Sequence, residues 1–177
     1  DGGIRALSKY HEENPYSVTV DGHIYSIRYD PGDSTSDMFG GNSNWRGPVW
    51  MPINFLIIQS IRKYGEFYGD SLLVEFPTGS GNKINLTTVA NELTKKVISL
   101  FRRDASGDRR CYGKYNWFYK QAGNEHLLLF YEYFHGDTGR GLGASHQTGW
   151  TALVAELISE YGDHVHKQSG NALPSEA

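Results

Sequence analysis

Leu86-Thr87-Thr88-Val89-Ala90-Asn91-Glu92-Leu93-Thr94-Lys95-Lys96-Val97-Ile98-Ser99-Leu100-Phe101 is the clearest single run in this chain. Leu86, Val89, Ala90, Leu93, Val97, Leu100 and Phe101 recur at i, i+3 and i+4, so one apolar stripe faces a core and the rest faces water. Upstream, Pro48 to Tyr68 predicts a second helix. Ile53, Ile57, Ile61 and Tyr64 form its stripe, widened by Leu56, Ser60 and Phe67, and Pro52 is tolerable only in the first turn. Downstream, the apolar run Asn124 to Phe134 reads as a short helix buried on most faces. Thr148 to Tyr161 reads as a last helix, with Trp150, Leu153, Val154, Leu157, Ile158 and Tyr161 on one face. At the start, Ile4, Leu7 and Tyr10 mark a short helix that Asn14-Pro15 ends, because the residue before proline avoids helical geometry. Ser17 to Tyr29 reads as a hairpin turning at Asp21-Gly22, both of which tolerate positive φ. The class expected is mainly α: about five helices and one hairpin excursion, joined by loops over residues 30–44, 69–83 and 104–113. Residues 1–162 would form one unit and residues 163–177 a polar tail, expected to be disordered.

The composition narrows the function. With 177 residues and 38% hydrophobic content the chain suits one ordinary core. A net charge of -3 argues against a nucleic-acid partner, and the Arg102, Arg103, Arg109, Arg110 cluster reads as a solvated loop. Cys111 is the single cysteine, so no internal disulfide forms and nothing calls for an oxidising compartment; a cytoplasmic location is the expectation. No apolar stretch approaches the roughly 20 residues that span a bilayer, so no membrane partner is expected. Twelve Tyr and four Trp in a chain this polar suit a sugar-binding cleft, where rings stack on pyranose faces, and equally suit core packing.

Most motif matches fail on context. Gly139-Arg140-Gly141-Leu142-Gly143-Ala144 has dinucleotide-loop spacing but follows a helical pattern and lacks a βαβ unit. His164 and His166 stand in a polar tail, and Asp33, Thr35 and Asp37 lack the glycine and terminal glutamate of a calcium loop, so neither a metal nor another cofactor is expected. Two stretches survive. In Asn44-Trp45-Arg46-Gly47-Pro48-Val49-Trp50 two indoles flank an arginine just before a helix; a rigid helix entry and a ligand contact both remain open. Glu132 closes an apolar run and is followed by a glycine-dense loop that ends at Trp150. A carboxylate at a helix C-terminus would stand against the helix dipole, which points to a functional role.

Phe39-Gly40-Gly41-Asn42-Ser43-Asn44-Trp45-Arg46-Gly47-Pro48-Val49-Trp50, with Pro52 and Asn54 beyond it, closely resembles the signature of glycoside hydrolase family 63, the family of processing α-glucosidase I and bacterial α-glycosidases. Glu132-Tyr133-Phe134-His135-Gly136-Asp137-Thr138-Gly139 and Gln147-Thr148-Gly149-Trp150-Thr151-Ala152 resemble its C-terminal catalytic segment. Ile4-Arg5-Ala6-Leu7-Ser8 resembles the stretch upstream of the signature. The resemblance implies an (α/α) six-hairpin toroid and metal-free, inverting hydrolysis of α-glucosidic bonds in oligosaccharides or small glycosides. It places the general base at Glu132, substrate contacts at Trp45, Arg46 and Trp150, and backbone-shaping roles at Gly47 and Pro48. The family's general acid is an aspartate well upstream of these motifs, so the chain is expected to be the C-terminal portion of such a domain. It would then need the missing N-terminal part as partner, and alone it would expose apolar helix faces that favour self-association. Asp33, Asp37 and Asp137 are candidate acids only by default. A carbohydrate-binding remnant without catalysis is the alternative.

Overall fold

The computed structural model describes residues 2–33, 35 and 44–170. Asp37 and residues 39–43 of the signature lie outside the described residues, as do residues 171–177 of the expected tail.

Three helices carry the packing: α1 (Met51–Tyr68), α2 (Leu86–Ile98) and α5 (Leu153–Gly170), each in contact with the other two. Helix α2 forms as its period predicts. The Asn85 side chain caps it by accepting from Thr88 N at 2.9 Å, and Lys95 and Lys96 sit in the last turn, where the dipole favours cations. Its buried stripe continues into a turn that buries Leu100 and Phe101. Helix α1 starts with Pro52 in its first turn and stops at Gly69 (φ 52). It approaches α2 closely at Gly65, where a Cβ would lie 2.5 Å from Thr87 Oγ1 and 2.7 Å from Thr87 N. After a short helix α3 (Asn116–Tyr119), the last helix is two pieces, α4 (Thr148–Thr151) and α5, and runs past Gly162 to Gly170. Ile158 lies outside its buried face of Val154 and Leu157.

Much of the apolar stripe predicted for α1 is exposed, although Ile57 and Ile61 are half-buried and Ile61 packs against the core. The buried residues of the helix are Met51, Asn54, Ile58 and Gly65, while Ile53, Leu56, Tyr64 and Phe67 are exposed, Phe67 to 80%. The period is right and the partner is not: within these residues, α2 and α5 cover the side of Ile58 and Gly65.

Beside the helices stand short antiparallel pairs, so the molecule is mixed helix and sheet. The predicted hairpin is β1 (Tyr16–Val20) with β2 (His23–Ile27), turning through Asp21 (φ 50) and Gly22 (φ 79). A second pair, β3 (Leu73–Glu75) with β4 (Lys83–Asn85), occupies part of the expected 69–83 loop. The third replaces the helix predicted over residues 124–134: β5 (Tyr133–Phe134) pairs with β6 (Gly141–Leu142). An unbroken apolar run carries no period that separates helix from strand. Long-range partners decide here, since Phe130 O accepts from Gln147 N and Tyr131 O from the Thr151 hydroxyl. The predicted helix at Ile4 is also absent. Asn54 accepts from Ile4 N at 2.7 Å and donates to Ile4 O at 2.9 Å, which sets Arg5 in a β-bridge against Val49. Only Lys9–Glu12 turns, as a 3-10 helix.

Four extended segments therefore lie side by side through Arg5, Val49, Phe134 and Gly141. The arginine cluster braces the loop next to them rather than standing free in solvent. Arg103 donates to Gly107 O and Glu125 O, Arg109 to Phe101 O, and Arg110 to Thr138 O.

Candidate active site

Glu132 immediately precedes β5, not the end of a helix, so the dipole argument for its role no longer applies. Its own backbone supplies a different one. Glu132 N donates to Ala144 O at 2.9 Å, and Ala144 N returns a bond to the Glu132 side chain, Oε2, at 3.0 Å. The half-buried carboxylate is thus tied across the turn between β6 and α4.

The Trp45–Trp50 segment lies against this strand. Val49 N donates to Phe134 O at 2.8 Å and Phe134 N to Val49 O at 2.9 Å, which sets Trp50 beside Tyr133 with ring centroids 4.6 Å apart. Trp45 stacks on Trp50 at 4.1 Å and 3° between planes, and Trp150 of α4 tilts against it at 5.4 Å and 59°. Trp50 is 3% exposed, whereas Trp45 keeps 41% and Trp150 38%. The two indoles of the motif thus differ: Trp50 is packed, and Trp45 is presented. Trp50 and Tyr133 were not among the site residues read from sequence. The i, i+5 spacing of the two indoles was the available signal.

Arg46 is buried and lies 3.7 Å from the Asp30 carboxylate, while Asp30 N donates to Arg46 O at 2.8 Å. Gly47 is needed for this approach, because a Cβ there would lie 2.5 Å from Asp30 O. Gly136 repeats the requirement on the other flank, with a Cβ 2.5 Å from Gly47 O. The structure therefore packs Trp45 and Trp150 against Trp50, stacks Trp50 on Tyr133, the residue after Glu132, and sets Arg46 and Gly47 into the supporting segment.

Residues 33–160 match the model of the glycosyl hydrolase family 63 C-terminal domain. The chain belongs to glycosyl hydrolase family 63. It is 51% identical over 162 residues to the uncharacterized protein YMR196W of Saccharomyces cerevisiae, covering 90% of this chain and 15% of that protein. It is 28% identical over 126 residues to the mannosyl-oligosaccharide glucosidase of the same yeast, covering 71% of this chain and 12% of the relative. Alpha-glucosidase 2 of Arabidopsis thaliana is 28% identical over 116 residues, 66% of this chain and 11% of the relative. The chain thus spans a small part of the length of the curated relatives it matches. Among the described residues no helix is long and apolar enough to cross a membrane.

In this family 63 chain the candidate acids differ sharply in setting. Asp137 accepts from Tyr29 Oη at 2.9 Å, Lys9 Nζ at 3.3 Å and Arg5 Nη2 at 3.4 Å. Burial pushes its pKa up, but the Tyr29 bond and the Lys9 and Arg5 charges outweigh that and hold it below the usual carboxylate range. A group held ionised is the opposite of a proton donor. Burial and the same bond push Tyr29 up to about 12. Asp33 is exposed and accepts from the Tyr133 hydroxyl at 3.1 Å.

His135 stands between these groups. Burial lowers its pKa more than Asp137 raises it, and its Nδ1 accepts from the backbone N–H of Asp137 and Thr138, which holds the ring neutral. A lowered folded pKa adds stability that is present above the unfolded value, about 6.5, and is lost as pH falls through the folded value. Stability should therefore decline as pH drops from about 7 toward 5. His135→Gln should flatten that part of a denaturant-midpoint profile, and an unchanged profile would assign the slope to other groups.

Proposed function

We propose that this chain is the C-terminal part of the catalytic domain of an inverting α-glycosidase, an (α/α) six-hairpin toroid in full, with Glu132 as general base. The observation that carries this is a half-buried carboxylate fixed by a backbone N–H and borne by the residue before Tyr133, whose ring stacks on the Trp50 that Trp45 and Trp150 pack against. In the reaction Glu132 takes a proton from water as the water oxygen bonds to the anomeric carbon. The glycosidic bond breaks toward the leaving oxygen, which receives a proton from the acid on the opposite face, and the two carboxyls stand roughly 6.5–9.5 Å apart. Trp45 and Trp150 would stack on sugar rings, with Arg46 as a further substrate contact and Gly47 shaping the backbone that carries it. The acid is assigned to residues outside these 177, a reading supported by the three donors that keep Asp137 charged. The exposed Ile53, Leu56, Tyr64 and Phe67 face of α1 supports a further body of helices packed there, with self-association when that body is missing.

The substrate class is a glucosylated oligosaccharide or a small α-glucoside, in line with the glucosidases among its relatives. Proton NMR of the first turnovers of an α-glucoside by the full-length protein should show the β-anomer of glucose appearing before mutarotation. Initial release of the α-anomer would overturn the assignment.

A carbohydrate-binding remnant is the second reading, favoured by one observation: the indoles of Trp45 and Trp150 stand exposed while Asp137, one of the candidate acids, is held charged by three donors. Titration calorimetry with short α-glucans separates the two, since a remnant binds them and leaves them intact even in the full-length protein.

A further inference from the structure

The proposed base is held from one side only. Ala144 N–H bonds Glu132 Oε2 at 3.0 Å, and among the described residues Oε1 accepts no hydrogen bond. The turn that aims this N–H passes through Gly143 at φ +67, a left-handed conformation that side chains rarely adopt. The space is restricted as well. A Cβ on Gly143 would stand 2.6 Å from Glu132 Oε2, 3.0 Å from Glu132 Cβ and 2.6 Å from Tyr133 Cε1. No other glycine of the 139–143 loop meets the carboxylate: at Gly139 a Cβ would meet Leu100 and Arg110, and at Gly141 the Tyr131 ring.

We propose that the Gly143–Ala144 turn is a backbone clamp that fixes which oxygen of Glu132 faces the attacking water, with Gly143 as the positioning residue. The clamp rests on the assignment of Glu132 as base. Tying up Oε2 leaves Oε1 as the oxygen that receives the proton. It also removes the carboxylate's freedom to rotate between the turn and the water, so proximity is built in before substrate arrives. The same bare Cα lets the Tyr133 ring lie close, so the clamp and the aromatic surface share one requirement for glycine.

The test uses the full-length protein with two substrates, an ordinary α-glucoside and α-glucosyl fluoride, whose leaving group needs no proton. Gly143→Ala should lower kcat by about 10- to 100-fold on both, since a misplacement of about 1 Å can cost about 100-fold, with KM nearly unchanged. Gly143→Asn carries the same added Cβ on a residue that tolerates positive φ, so it should lose as much. It also carries the test if the alanine variant does not fold. A normal kcat for Gly143→Asn would overturn the clamp, because the loss in alanine would then be backbone strain. A loss seen with the α-glucoside and absent with the fluoride would overturn it too, by placing the defect on the leaving-group side. A raised KM with normal kcat would make the turn a substrate contact instead. If Glu132→Gln abolishes turnover while the Gly143 variants stay active, the clamp alone fails. If Glu132→Gln stays active, the assignment of the base fails first.

Discussion

Replacing Glu132 with glutamine should reduce turnover of an α-glucoside by about 10³-fold or more, within or beyond the 10²–10⁴ that a positioned general base typically contributes. The variant isolates the proton transfer. Glutamine has the length of glutamate, and its amide oxygen can still accept from Ala144 N–H, so the turn between β6 and α4 keeps its bond. What disappears is the negative charge and the basic oxygen that takes the proton of the attacking water. A loss of 10³ corresponds to about 4 kcal/mol of barrier. The loss should fall on kcat, because the proposed sugar contacts, Trp45 and Trp150, keep their packing on Trp50. Steady-state kinetics of the full-length protein checks this, and turnover within tenfold of the parent would remove Glu132 from the reaction.

The second large effect is structural. Phe134→Ala should destabilise the fold by about 3–5 kcal/mol, the usual cost of deleting a buried phenylalanine ring. The ring is fully buried and meets Phe101 edge-on, with centroids 5.5 Å apart and planes at 79°. It thus joins the end of α2 to the strand that carries Glu132. Its backbone is held by two bonds to Val49, so the strand cannot easily collapse into the cavity. Phe134→Leu, which keeps most of the volume, should cost less than about 1.5 kcal/mol. Chemical denaturation of both variants reads the difference, and equal costs would mean that the ring packs less tightly than its burial indicates.

Local signals were legible and partner-dependent ones were not. Helix α2 follows from its spacing, the start of α1 from Pro52, and the first hairpin from Asp21-Gly22, because each is decided within a few residues. The orientation of α1 was not legible: its period shows an apolar face, but burial depends on which neighbours are present. Residues 124–134 failed for a related reason, since hydrogen-bond partners near residues 144–151 pull them from helix into an extended path. In the site, Trp45, Glu132 and Trp150 could be named from motifs, and the structure packs the two indoles against Trp50 while Glu132 is tied to Ala144. Trp50 is visible in the motif as its second indole, whereas its packing on Tyr133, and Gly143, which shapes the carboxylate's surroundings, become visible only once segments far apart in sequence lie side by side. Arg46 was read as a substrate contact, and its pairing with Asp30 adds a bracing role that the motif alone did not show.

The stacked indoles carry a consequence for affinity. A tryptophan free to rotate loses side-chain entropy when a sugar stops it, and that loss subtracts from binding. Trp45 has already lost this freedom on folding, because Trp50 lies parallel to it at 4.1 Å and is itself held by Tyr133 and Trp150. For the proposed sugar contact, an immobilised ring lowers the entropy lost on binding, and Trp50 would then act mainly through the off-rate.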